Sequence, residues 1–232
     1  MLKGVDMRIE RGESIVVIGQ SGCGKSVLIK HLIRLLEPDA GKVIFDGVDI
    51  SEYDFGELSK LRLRFGMLFQ SAALFDSMTV EDNVGLGLTE SRRFRRKEIK
   101  EMVDEKLEMV GLSGANNKRP AELSGGMRKR VGLARAIASS PEVLLYDEPT
   151  TGLDPITADM INELIVNLRE RLEVTSIAVT HDMKSAFQIA DRIVMLHGGK
   201  VEFEGTPEEV KTTENPIVNQ FITGSSTGPI QV

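Results

Sequence analysis

The sequence of 232 residues contains one cysteine, no tryptophan and only 5% aromatic side chains. Because Cys23 has no second cysteine in the chain to pair with, an intrachain disulfide is excluded and a reducing compartment is favoured. No apolar run reaches the ~18–20 residues that a membrane-spanning helix needs, and residues 1–6 lack the apolar core of a signal peptide. We therefore expect an intracellular globular protein.

A surplus of positive charge is also lacking. Lys and Arg total 29 against 35 Asp and Glu, which gives a formal net charge of −6. Binding of nucleic acid across a broad surface is therefore disfavoured, and any contact with phosphate needs a local site. The hydrophobic share of 41% is enough for a core, and the length allows one large domain or one domain with a subdomain.

Short strand patterns alternate with helical patterns along the chain. Residues 5–9 alternate between apolar and charged side chains, which predicts a half-buried strand, whereas 14–18 and 143–147 are apolar runs typical of buried parallel strands. Further strands are predicted at 43–45, 65–69 and 175–180, a hairpin across 193–203, and helices at 27–36, 92–110 and 160–172. This alternation predicts an α/β fold with a mainly parallel sheet, and the small, polar residues 224–229 are expected to be flexible or to depend on a partner.

The segment between the first buried strand and the next helix matches the pattern GxxxxGK[ST]. Its members are Gly19, Gln20, Ser21, Gly22, Cys23, Gly24, Lys25 and Ser26. Glycines let the backbone curl so that successive N–H groups point at phosphate oxygens, and the helix N-terminus adds the positive end of its dipole. Lys25 is then expected to reach the β- and γ-phosphates of a nucleotide, and Ser26 to ligate Mg²⁺. A glycine-rich turn that matches by chance is the alternative, and the flanking strand and helix disfavour it.

Carboxylates end the predicted strand at 143–147. Asp147 is expected at the carboxyl end of the sheet beside the phosphate loop, where it could hold Mg²⁺, and Glu148 points elsewhere and could polarise a water aimed at the γ-phosphate. Gln70 and His181 follow two other predicted strands and are expected at the same edge of the sheet. Taken alone, His181 would more often be a structural histidine.

The segment 123–127 precedes another helical pattern, so Ser124 and the two glycines after it cap a second helix N-terminus. Such a terminus is an anion site, and a nucleotide held by residues 19–26 has no evident need of it within one chain. With this segment the sequence resembles the ATP-binding subunits of ABC transporters, from residue 1 to about residue 210. The shared motifs, in family order, are the phosphate loop 19–26, Gln70, the signature 123–127, the acidic strand 143–148, Leu153-Asp154 and His181.

The resemblance implies a P-loop NTPase fold with a RecA-like, mainly parallel sheet core, an antiparallel β part and an inserted α-helical signature subdomain. It assigns residues 1–74 and 139–213 to the core and 75–138 to the helical subdomain. Residues 214–232 are expected to form a C-terminal tail that contacts another subunit.

In this family two such domains pack head to tail, and each ATP lies between one phosphate loop and the partner's signature. The implied cofactors are ATP and Mg²⁺, and the implied activity is ATP hydrolysis coupled to transport. The residues implied to bind ATP are 19–26, Gln70 and His181 in cis, and Ser124, Gly125 and Gly126 in trans. The implied catalytic residues are Lys25, His181 and the general base Glu148, the metal ligands are Ser26, Gln70 and Asp147, and Asp154 links the two sites of the homodimer.

The sequence departs from the family pattern at two places. The signature ends in Met127 instead of the usual Gln, which we expect to be tolerated because this position lies beyond the contacting serine and glycines. Residues 1–18 contain no aromatic side chain to stack on adenine, so we expect that the chain starts late, without the first strand and the adenine platform. Since such stacking contributes about 1–3 kcal/mol, ATP affinity is expected to be weaker than in a version extended upstream.

Other ATPases with these motifs are disfavoured by spacing. DNA-repair and chromosome-maintenance ATPases place a long coiled coil between phosphate loop and signature, and residues 27–122 show no sustained heptads. Translation-factor relatives carry two cassettes in one chain, and a binding module without turnover is disfavoured by Glu148. We expect no nucleic-acid partner.

Transport by a chain without a membrane span implies separate permease subunits, and a peripheral position at the cytoplasmic face of an inner membrane. The apolar segment 71–88 is the one that receives the permease's coupling helix in the family, although burial in the helical subdomain accounts for part of it. The basic run 92–97 is expected to be a solvated helix start and not a lipid-headgroup contact, because acidic residues surround it.

Residues 122–130, 219–224 and 228–229 resemble the Mla/Mce-type lipid transporters. This resemblance implies phospholipid transport between bacterial inner and outer membranes, with a small regulatory subunit and a periplasmic lipid-binding subunit as further partners. The alternative that stays open is an ATPase subunit for another solute, such as amino acids or lipoproteins.

Overall fold

The computed structural model describes residues 2–231, which fold around one large sheet. The strands are β1 (Ser14–Ile18), β2 (Ile44–Phe45), β3 (Val48–Asp49), β4 (Phe65–Leu68), β5 (Val143–Asp147), β6 (Thr175–Val179), β7 (Arg192–His197) and β8 (Lys200–Gly205). Six of them form a sheet in the order β4-β5-β6-β1-β7-β8, parallel except for the β7–β8 hairpin, and β2 and β3 form a separate antiparallel pair. The predicted α/β fold with a mainly parallel sheet is confirmed.

Helices cover both faces of this sheet and form a cluster beside its β4 edge. They are α1 (Lys25–Leu32), α2 (Phe55–Leu63), α3 (Val80–Ser91), α4 (Arg96–Met109), α5 (Gly125–Ile137), α6 (Pro155–Leu172), α7 (Met183–Ile189), α8 (Pro207–Thr212) and α9 (Pro216–Thr223). Helices α3, α4 and α5 pack on one another, and α5 also packs on β4. None of the helices within residues 2–231 combines the length and the apolarity required to cross a bilayer.

The central strand β1 alternates its side chains between two hydrophobic layers. Val16 and Ile18 pack into the layer that contains α5 and α6, whereas Ile15 and Val17 pack into the layer that contains α1. All four side chains are fully buried. A parallel sheet covered on both faces explains why this strand is a continuous apolar run, as predicted, and not an alternating one.

Helix α5 approaches the edge strand β4 with almost no side chain between them. A Cβ on Gly66 of β4 would lie 2.1 Å from the carbonyl oxygen of Ala136. A Cβ on Gly132 would lie 2.7 Å from Cδ1 of Leu68. Glycines on both elements therefore permit the close contact that fixes α5, and the loop before it, against the sheet.

The prediction of a strand at residues 5–9 is wrong. The apolar side chains of this segment are half-buried against the core in alternation with exposed charged ones, as the pattern indicated. The backbone, however, does not join a sheet ladder, and nearby the N–H of Lys3 bonds to the carbonyl of Gly199 at 2.7 Å. The alternation of apolar and charged residues at 5–9 thus reflects the burial of side chains and not a strand.

Three predicted helices also have a wrong boundary. The helix predicted at 27–36 ends with α1, because Arg34 takes a left-handed conformation with φ of 49°. The helix predicted at 92–110 begins later, with α4, because Arg92 caps the preceding helix α3 in the left-handed conformation. The helix predicted at 160–172 ends as predicted but begins earlier, at Pro155, and the remaining predicted strands are present with small shifts of their ends.

The last residues that the structure describes pack on the rest of the chain. Val218 of α9 and Ile230 are buried in the main hydrophobic layer. The side chain of Gln220 accepts a hydrogen bond from the N–H of Ile230 (2.6 Å) and donates one to its carbonyl (3.1 Å). The turn at 224–229, which was expected to be flexible or partner-dependent, is therefore closed by this amide within the chain.

Candidate active site

The phosphate loop joins β1 to α1 and turns on glycines with positive φ. Gly22 has φ of 80°, and Gly24, which precedes the first residue of α1, has φ of 109°. Only glycine adopts such angles without strain. A Cβ on Gly19, at the start of the loop, would lie 2.4 Å from the carbonyl oxygen of Leu196 on β7. The loop is therefore wrapped tightly over the carboxyl ends of β1 and β7.

Lys25 folds back from α1 into the loop. Its Nζ donates to the carbonyls of Gly19 (2.7 Å) and Gln20 (3.1 Å), and the residue is 7% exposed. The ammonium thus lies close to the N-terminus of α1, whose dipole also attracts anions. A phosphate group in this loop would meet the lysine and the backbone N–H groups together.

The phosphate loop meets the acidic strand end through one hydrogen bond. Ser26 Oγ donates to Asp147 Oδ1 at 2.8 Å, and Asp147 is buried. Within residues 2–231 no three His, Cys, Asp or Glu side chains are arranged to hold a metal ion. A hydroxyl and one carboxylate nevertheless fit Mg²⁺, which takes oxygen ligands and usually completes its octahedron with phosphate oxygens and water.

Glu148 is held in an unusual backbone conformation. Its φ is 49°, in the left-handed region, and its N–H bonds to the carbonyl of Val179 on β6 at 2.9 Å. Its Oε2 accepts hydrogen bonds from the hydroxyls of Thr151 (3.1 Å) and Thr180 (3.3 Å). Strained conformations of this kind are retained where the surroundings fix them, often at functional sites.

The Glu148 carboxylate also contacts the other predicted catalytic side chains. His181 Nδ1 lies 2.9 Å from Glu148 Oε2, and Lys25 Nζ lies 3.9 Å from Glu148 Oε1. The His181 side chain is 60% exposed, whereas the carboxylate and the lysine are buried. The three groups therefore converge on one place at the sheet edge, beside the Ser26–Asp147 pair.

A residue that sequence reasoning missed lies beneath this cluster. Lys129 of α5 is 4% exposed, and its Nζ donates to the backbone carbonyls of Gln70 (2.6 Å) and Glu148 (3.1 Å). Burial lowers the pKa of Lys129 to about 8, although the nearby charges of Glu148 and Asp147 raise it. The signal in the sequence was its spacing, since Gly126, Lys129 and Gly132 recur on one helix face that is otherwise small and apolar.

The signature segment caps α5 and lies beside the loop that contains Asp154. The Ser124 hydroxyl accepts a hydrogen bond from the N–H of Met127 at 3.2 Å. A Cβ on Gly126 would lie 2.5 Å from Cγ2 of Thr157, on the first turn of α6. Asp154 is the N-cap of α6 and accepts from the Thr157 hydroxyl and N–H, which lower the pKa of the Asp154 carboxyl.

The structure thus assembles most of the predicted site residues in two groups. Lys25, Ser26, Asp147, Glu148 and His181 form the first group, and the signature and Asp154 form the second. Within residues 2–231 no hydrogen bond or ion pair joins residues 124–126 to residues 19–26. The backbone carbonyl of Gln70 accepts a hydrogen bond from Lys129, and in the part of the chain that the structure describes no hydrogen bond or ion pair joins Gln70 directly to the first group.

A phosphate loop beside a hydroxyl–carboxylate pair on a mainly parallel sheet defines a P-loop nucleotide-binding domain. The family model described as "ABC transporter" matches residues 2–151. Among solved structures, a dimeric ATP-binding cassette in a post-hydrolysis state bound to ADP and Pi is 35% identical, with a TM-score of 0.81 over 89% of this chain and 90% of that one. The chain belongs to the ABC transporter family.

Curated relatives match almost the whole chain. The probable ribonucleotide transport ATP-binding protein mkl of Mycobacterium leprae is 42% identical over 97% of this chain. This chain spans 65% of that protein's length, which is less than two thirds. The intermembrane phospholipid transport system ATP-binding protein MlaF of Haemophilus influenzae is 41% identical over 98% of this chain and 86% of its own length.

Proposed function

We propose that this chain is the ATP-binding and hydrolysing subunit of an ABC transporter and that it powers phospholipid transport through separate membrane subunits. The observation that carries the ATPase proposal is the convergence of Lys25, Glu148 and His181 beside the Ser26–Asp147 pair. A buried carboxylate next to a phosphate-binding lysine is the arrangement that activates a water for attack on a phosphoryl group.

The side chains divide the work of hydrolysis among them. The backbone N–H groups of residues 19–26 and the Lys25 ammonium bind the phosphates, and Ser26, Asp147 and Gln70 would hold Mg²⁺, which would neutralise phosphate charge there. Glu148 accepts the proton of the attacking water. The hydroxyl bonds to its Oε2 from Thr151 and Thr180 support this role, because they orient the carboxylate before the reaction.

The complete site includes a second copy of the chain. Ser124 is exposed at the start of α5, and its hydroxyl and the N–H groups of Gly125 and Gly126 bind the γ-phosphate held by the partner. The contact of Gly126 with Thr157 supports a further role for Asp154, since it connects the signature with the N-terminus of α6. A conformational change at one ATP site would thereby be transmitted to the other ATP site of the dimer.

The membrane partner docks on the exposed part of segment 71–88. Val80, Val84 and Leu88 are buried within the helical segment 75–138, which we propose as the signature subdomain, but Phe75 is 51% exposed. Contact with permease subunits there places the chain at the cytoplasmic face of the inner membrane. Residues 214–232 contact a neighbouring ATPase copy or a small regulatory subunit.

Phospholipid is the cargo that the similarity to MlaF supports, and passage between the inner and outer membranes follows from it. The experiment is purification of the tagged chain from membranes, identification of its partners and bound lipid by mass spectrometry, and reconstitution in vesicles with a labelled phospholipid. We expect ATP-dependent lipid transfer that Lys25→Ala abolishes. Stimulation of ATP hydrolysis by a ribonucleotide or an amino acid, without lipid transfer, would contradict the cargo.

A further inference from the structure

Lys129 differs from the other buried lysines of the described residues in what it contacts. The side chains of Lys25 and Lys106 are also buried, but Lys25 lies in the phosphate loop and Lys106 pairs with Glu105 at 2.8 Å. Within residues 2–231 Lys129 makes no ion pair within 4.0 Å, and its Nζ bonds only to the two backbone carbonyls of Gln70 and Glu148. A buried ammonium without a carboxylate partner is costly, so its retention calls for a role.

The two carbonyls belong to different loops that border the proposed ATP site. Gln70 follows β4 and Glu148 follows β5, and both loops lie at the carboxyl edge of the sheet. The Glu148 backbone is the strained one, with φ of 49°. A bond of 3.1 Å from Lys129 to its carbonyl oxygen therefore acts on the peptide group that sets the direction of the carboxylate.

We propose that Lys129 is a positioning residue for ATP hydrolysis: its ammonium fixes the backbones of Gln70 and Glu148 to helix α5, and so aims the Glu148 carboxylate. This inference rests on the proposed ATPase function. Because α5 begins at the signature segment, Lys129 also ties the helix that meets the partner's ATP to the carboxylate that serves the chain's own ATP.

The alternative is that Lys129 only fills space in the core. The two roles differ in what a substitution changes. A space-filling residue affects the stability of the fold, and with it ATP binding and turnover together, whereas a positioning residue affects kcat with little change in ATP affinity. Since misplacement of a catalytic group by about 1 Å lowers a rate by about 100-fold, the effect on kcat is large enough to measure.

The test uses the transport complex that contains the full chain, with ATP dissociation constants and steady-state hydrolysis measured on the same samples. Lys129→Met removes both hydrogen bonds at similar volume, and Lys129→Arg keeps a cation with N–H donors. Arg130→Met is the matched control, because Arg130 is one position along α5 and its side chain makes no hydrogen bond or ion pair in the part of the chain that the structure describes.

We expect Lys129→Met to lower kcat by about 10–100-fold with an ATP Kd within threefold of wild type, roughly the loss that misplacement predicts. The kcat of Lys129→Arg should lie closer to the wild-type value, and the kcat of Arg130→Met should equal the wild-type value. If Lys129→Met does not fold, Lys129→Gln takes its place with the same expectation.

Unchanged kcat, or equal loss of kcat and ATP affinity, would overturn the proposal. Failure of the Met, Gln and Arg variants to fold would also overturn it, because Lys129 would then serve the core alone. A wild-type complex that does not hydrolyse ATP would refute the proposed function itself, and this inference with it.

Discussion

Replacement of Gly19 by alanine tests how the phosphate loop is built. The added Cβ would lie 2.4 Å from the carbonyl oxygen of Leu196 and 2.8 Å from Sγ of Cys23, at a φ of 148° that L side chains rarely adopt. Backbone strain costs about 1–3 kcal/mol, and overpacking against a fixed carbonyl costs about 1–3 kcal/mol. We therefore expect the free energy of unfolding to fall by about 2–6 kcal/mol, and the loop to lose its phosphate-binding shape.

The assay is urea unfolding of the purified chain together with an ATP dissociation constant. Gly12→Ala is the matched control, because Gly12 has φ of 77° and a Cβ at this position would have no atom within 4 Å, so this variant meets backbone strain alone. We expect the control to lose about 1–3 kcal/mol and to keep its ATP affinity. Equal stability and equal affinity of the two variants would refute the reasoning, because the contact with Leu196 would then contribute nothing.

Three further variants test other parts of the account. Lys25→Ala removes the buried ammonium from the phosphate loop and should lower ATP affinity by at least about tenfold; wild-type affinity in calorimetric titration would contradict the phosphate-loop assignment. Tyr146→Phe should leave thermal stability unchanged or higher, since within the described residues the buried Tyr146 hydroxyl has no hydrogen-bond partner; a clear loss would contradict this. In Glu13, the hydrogen bond from Arg192 (2.6 Å) holds the carboxyl pKa below its usual value. The contribution of this ion pair to stability is therefore present above about pH 4.5 and is lost as pH falls through the lowered pKa. Wild type should then lose stability more steeply than Glu13→Gln between about pH 5 and 3. Parallel curves of stability against pH would contradict the ion pair.

Much of the fold could be predicted from local patterns. Strands β1 and β5 are buried on both faces and are therefore almost continuous apolar runs, and their bounds were predicted without error. The strand prediction at residues 5–9 failed because half-burial beside a core produces the same alternation as a strand. The sequence does not show whether the backbone pairs with another strand. The left-handed residues Arg34 and Arg92 likewise carry no local signal, because side chains other than glycine seldom take that conformation.

Part of the candidate site could likewise be predicted from the sequence, and part could not. Phosphate-loop glycines and the carboxylates at the end of β5 are encoded by spacing, and the structure places Ser26 against Asp147 and Lys25 beside Glu148. The Lys129 bonds could not be predicted, because they end on backbone carbonyls, whose positions depend on how α5 packs on β4. The assignment of ATP contacts to Ser124, Gly125 and Gly126 in trans stays a prediction.

The most direct test of the central claim is the effect of Glu148→Gln on turnover and on assembly. The claim is that two copies of this chain enclose each ATP and that Glu148 is the general base. The substitution keeps the size of the side chain and removes its basicity, so hydrolysis should fall by about 10²–10⁴-fold while ATP binding remains. Light scattering with and without ATP should then show a dimer that persists only with ATP. Turnover at the wild-type rate, or a chain that stays monomeric with ATP bound, would contradict the account.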